Sequence, residues 1–172
     1  MKKVLFSLVA LMAVMTVQAQ SICGTWRSMQ PTVETEEDGS YAAQTFTFTF
    51  NEDETFALVI ELTESSEPAP TMALEVATSI AYKGTYTLED EKVTLTPNMD
   101  TYKAELLSVS MNGKVASNPM VTSQIKQMLN SADFKAQFAD PQTFDVKVGD
   151  SSLEMTKDGE TMSFVRFATI NN

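Results

Sequence analysis

Few side chains in this sequence could do chemistry, and the types that are missing decide more than those present. The 172 residues contain no histidine, which removes the usual general base near neutral pH, every histidine-containing triad and the commonest zinc ligand. Cys23 is the single cysteine, so the chain can form neither an internal disulfide nor a cysteine-rich metal site. With no histidine or adjacent base to take its proton, Cys23 also lacks what would make it a nucleophile. Ten of the 23 carboxylates gather in three places: Glu34 with Glu36-Glu37-Asp38, Glu52-Asp53-Glu54 and Glu89-Asp90-Glu91. They separate apolar runs, as solvated turns do, and none has the spacing of a calcium loop. No catalytic residue, metal site or cofactor is therefore expected, and the chain reads as a non-enzyme. Twelve Lys+Arg against 23 Asp+Glu, a formal charge of −11, leave no basic footprint for nucleic acid or an anionic membrane surface.

Binding is left, and binding needs walls. Thr45-Phe46-Thr47-Phe48-Thr49-Phe50 alternates with period 2, which puts phenylalanines on one face of a strand and threonines on the other. After the turn Asn51-Glu52-Asp53-Glu54 the apolar phase resumes as Phe56, Leu58, Ile60 and Leu62, so the two runs predict a hairpin. The unit recurs around Glu89-Asp90-Glu91, between Tyr86-Thr87-Leu88 and Val93-Thr94-Leu95. It recurs again around Lys157-Asp158-Gly159-Glu160, between Leu153–Thr156 and Met162 with Phe164. Further strands are expected from about Thr71 to Tyr82, around Tyr102 to Met111 and around Thr143 to Val148. With a first strand at Gly24 to Met29, eight or nine strands follow one another in hairpin order. One segment breaks the pattern. Asn118-Pro119 is a helix start followed by Val121, Ile125, Met128 and Leu129 at helical spacing. Ser131 caps a second short helix carrying Phe134 and Phe138, which must stop before Asp140-Pro141. A helical pair near residues 118–140 is thus inserted among strands.

The first residues read differently. Lys2-Lys3, an apolar stretch from Val4 to Val17 and then Gln18-Ala19 predict a secretory signal peptide over residues 1–19, cut after Ala19. The stretch is shorter than the roughly 20 apolar residues that span a bilayer, so no membrane span is expected. Residues 20–172 then form a single domain in the periplasm or outside the cell. Cys23 follows Gln20-Ser21-Ile22, where a lipoprotein signal would carry small residues, and anchoring through Cys23 is not expected.

A meander whose strands each have one apolar face must bury those faces and deal with two edges. Closing into an up-and-down β-barrel does both, whereas a two-layer sandwich would bury only the faces. Gly24-Thr25-Trp26 on the first strand and Phe164-Val165-Arg166-Phe167 on the last resemble the lipocalin-like (calycin) pattern. So do Thr47–Phe56 and Gly84-Thr85-Tyr86-Thr87-Leu88, which look like the short secreted bacterial members. The resemblance implies a mainly β fold, an antiparallel barrel of eight or nine strands, with Trp26 packed at its closed end beneath Arg166. Gly24, Trp26 and Arg166 would be its structural signature. Glu54 stands where that family's hairpin turn carries glycine, and the helical pair is not a feature of small members. A barrel would turn Phe48, Leu58, Thr78, Tyr82, Tyr86 and Phe164 toward a small hydrophobic or amphipathic ligand, with Ser108 as a second inward polar residue. The same bulky side chains could instead fill the interior, leaving the loops to contact another protein or a glycan. Met120, Met128, Phe134 and Phe138 suit the helical pair either to covering the barrel mouth or to packing outside it.

Overall fold

The computed structural model describes residues 21–35, 40–69, 72–115 and 118–167, with the side chains of 67–69 and Met72 left aside. The expected signal peptide and the cluster Glu36-Glu37-Asp38 lie outside these residues. The elements are β1 (Gly24–Ser28), β2 (Thr32–Thr35), β3 (Tyr41–Phe50), β4 (Thr55–Ala69), β5 (Met72–Glu89), β6 (Lys92–Met111), β7 (Lys114–Val115), α1 (Pro119–Leu129), α2 (Ala132–Ala136), β8 (Gln142–Val148), β9 (Ser152–Lys157) and β10 (Glu160–Arg166). The protein is mainly β. Its strands form one antiparallel sheet in the order β1-β10-β9-β8-β6-β5-β4-β3-β2, and β1 also pairs with β3, which closes a ring of eight strands.

The pleat explains who faces the core. Phe50 pairs with Phe56, Phe48 with Leu58 and Phe46 with Ile60 across β3 and β4. The expected hairpin therefore puts its apolar faces on one side. Its turn works without the glycine: Asp53 Oδ1 accepts from both the backbone N–H and the hydroxyl of Thr55, and Glu54 takes the left-handed conformation at φ 61°. At Gly84 the side chain's absence is essential. A Cβ there would stand 2.2 Å from the carbonyl oxygen of Thr96 and 2.6 Å from the Phe56 ring.

Two features differ from the alternation read along the chain. The runs ending at Tyr82 and at Leu88 are one strand, β5, and those near Val93 and Met111 are one strand, β6. Pairing of β6 with β5 slips twice. Between Ala81 and Lys83 the partner jumps from Lys103 to Asn98, and the Thr101 hydroxyl spans the gap, accepting from Lys83 N–H at 2.8 Å and donating to Asn98 O at 2.7 Å. This slip buries Tyr102, whose hydroxyl donates to Leu129 O at 2.9 Å and so ties the end of α1 to the sheet. Between Ala77 and Thr78 one extra residue, Leu107, reverses the pleat. Ser108, expected to face inward, is therefore exposed and Val109 is buried in its place.

The helical pair is present with its expected caps. Asn118 Oδ1 accepts from Met120 N–H and Ser131 Oγ from Phe134 N–H. No described helix is long and apolar enough to cross a membrane.

Candidate ligand cavity

One end of the ring is sealed by the residues just before β1. Trp26 is fully buried, and its Nε1–H donates to Ile22 O at 2.7 Å, drawing the buried Ile22 across that end. Arg166, opposite Trp26 in the register, lays its guanidinium 4.3 Å from the indole centroid and donates from Nη1 to Cys23 O at 3.0 Å. Gly24 makes this possible: it sits at φ 134°, and a Cβ on it would lie 2.7 Å from Arg166 Nη1. Behind this seal Phe50 meets Tyr86 edge-on at 5.1 Å, Phe48 stacks on Phe50 at 5.6 Å and Phe164 meets Phe48 edge-on at 5.6 Å. Such ring pairs each add about 0.5–1.5 kcal/mol beyond their buried area. The Tyr86 hydroxyl donates to Asn51 O at 2.8 Å and lies 3.5 Å from Cys23 Sγ; burial, with that thiol contact, raises its pKa.

Toward the other end the packing gives way to a cavity of about 270 Å³. Its walls are apolar residues of the ring, among them Phe48, Phe56, Leu58 and Phe144. Phe138, beyond α2, reaches over it, 6.0 Å from the Tyr82 ring and 6.1 Å from Tyr102. Its polar lining consists of Gln44 on β3, Gln137 at the end of α2, Gln142 on β8 and Tyr82 on β5. Burial pushes the Tyr82 hydroxyl up to about 12, so it remains a neutral O–H near neutral pH. The lining includes no charged side chain, no thiol and no aliphatic hydroxyl, so it can solvate and orient a molecule but offers no nucleophile or general base of ordinary strength.

Of the six residues expected to face a ligand, Phe48, Leu58 and Tyr82 line this cavity. Phe164 and Tyr86 belong to the packing around the sealed end, the first fully buried, the second bonded to Asn51 and Cys23. Thr78 is buried outside the cavity lining, and its hydroxyl has no hydrogen-bond partner among the described residues. Gln44, Gln137 and Gln142 were not anticipated. The signal for Gln44 was its place in the inward row of β3, two residues before Phe46. Among the described residues no group of three or more acidic or cysteine side chains is arranged to hold a metal ion. No protein-family model matches the chain, and no curated protein matches it. The chemistry of the cavity carries the functional reading.

Proposed function

We propose that the protein is an exported, lipocalin-like β-barrel that holds one small apolar or amphipathic molecule in its interior. The observation that carries this reading is the 270 Å³ cavity within the strand ring, apolar in its walls and polar at a few points, which is the composition small-molecule sites share. The ring closed by β1, the Trp26–Arg166 stack and the seal at Ile22 support the family resemblance. Phe138 over the cavity favours the helical pair as a cover. In this reading the protein carries its ligand unchanged, and export places it in the periplasm or outside the cell.

Native mass spectrometry of protein purified from its own host without refolding tests the proposal. A second, heavier species displaced by mild activation is expected. An apo mass alone, together with no binding of the neutral fluorophore N-phenyl-1-naphthylamine, would contradict it.

A further inference from the structure

We infer that the cavity selects an uncharged amphiphile, with a hydroxyl or carboxamide head rather than a carboxylate, and that Gln44, Tyr82 and Gln137 read that head. This rests on the cavity being a ligand site, as proposed above, and adds the chemical class of the ligand.

Three observations converge. First, Tyr82 lines the cavity, and its hydroxyl makes no hydrogen bond to a described residue while staying accessible from the cavity, so it is free to pair with a polar group bound there. Second, Gln44, half-buried, and Gln137, exposed at the cavity's rim, line the same cavity with side-chain amides that make no hydrogen bond among the described residues, each offering two N–H donors and one acceptor. Gln142 differs, since its Nε2 donates to Asp140 O at 3.3 Å and its Oε1 accepts from Lys157 Nζ. Third, no cation lines the cavity. Lys157 is exposed and held by Gln142, and Lys135 lies over the Tyr102 ring, 5.3 Å from its centroid. A carboxylate brought in would lose its hydration without gaining a counter-charge, whereas a neutral head would find donors and acceptors of both senses. The formal charge of −11 adds a field that also disfavours anions.

A cavity of about 270 Å³ lies at the small end of ligand pockets, so a short-chain amphiphile is the size class to test.

Displacement of N-phenyl-1-naphthylamine from the full chain by octan-1-ol, octanamide and sodium octanoate at pH 8 tests this. Octan-1-ol and octanamide are expected to displace the probe at least about tenfold more strongly than octanoate. Combining Gln44→Leu with Tyr82→Phe is expected to lower the octanamide affinity, relative to the probe's, by about tenfold. Octanoate equal to or better than octanamide overturns the inference while leaving the cavity reading intact. An unchanged octanamide-to-probe ratio in the folded double variant does the same. A probe that never binds overturns the cavity reading and this inference together. Should the double variant fail to fold, the three-compound comparison on the unaltered protein still decides.

Discussion

Thr78 is the residue at which local chemistry and packing disagree most. Its hydroxyl is buried on β5 without a partner among the described residues, a situation that costs about 1–3 kcal/mol. Thr78→Val is therefore expected to raise stability by about 1 kcal/mol in urea titration; a loss would show that the hydroxyl is satisfied after all. The tyrosines make a second case. Tyr82, Tyr86 and Tyr102 all have raised pKa values, burial being the largest cause for each, with Tyr82 reaching about 12. A folded-state pKa above the unfolded one contributes stability that is complete below about pH 10 and is lost as pH climbs toward the folded value. At pH 10.5 the native protein should show much less phenolate absorbance at 295 nm than the urea-unfolded chain; equal absorbance would contradict the burial described. At this scale Trp26 and Arg166 were legible in the sequence because each is rare in the chain and stands on a terminal strand. The cavity glutamines were not, since a glutamine near a strand end looks the same whether it faces solvent or a cavity mouth.

Strand alternation made most elements readable, because the pleat ties each side chain's direction to its parity. It failed where the ladder itself slips. Nothing in Asn98–Tyr102 announces that a threonine hydroxyl will stand in for backbone pairing, yet that substitution turns Tyr102 inward and gives α1 its anchor at Leu129. Thr101→Val should remove the Lys83 N–H's protein partner and cost about 0.5–1.5 kcal/mol, since the bond is exposed. For a domain of this size that is a fall in Tm of roughly 2–4 °C per kcal/mol by calorimetry. An unchanged Tm would mean that the slip is held by other contacts. The helices were legible from their caps, Asn118 before Pro119 and Ser131 three residues before Phe134, together with the helical spacing from Val121 to Leu129. Their seating was not, because it depends on the slip in β6.

Among the described residues the ring has one end sealed at Ile22 and Trp26 and, toward the other, a cavity that Phe138 lines. β1 is the joint, pairing β10 through Trp26–Ser28 and β3 through Gly24–Arg27, so a five-residue strand closes the ring. β2 continues along β3 beyond it, over Tyr41–Gln44, and is exposed throughout. Meanwhile β6 leaves β8 after Leu95 and runs on beside β5, with α1 packed on it. The acidic turns Glu52–Glu54 and Glu89–Glu91 are exposed, while the cavity lining is neutral. Whether the ring is hollow enough to hold a ligand is the claim on which the functional account stands. Fluorescence titration with N-phenyl-1-naphthylamine, on the unaltered protein and on a folded Leu58→Trp variant that fills the cavity, tests it most directly. The account predicts saturable binding at one site per chain that the variant loses; no saturable binding, or equal binding by the two proteins, would contradict it.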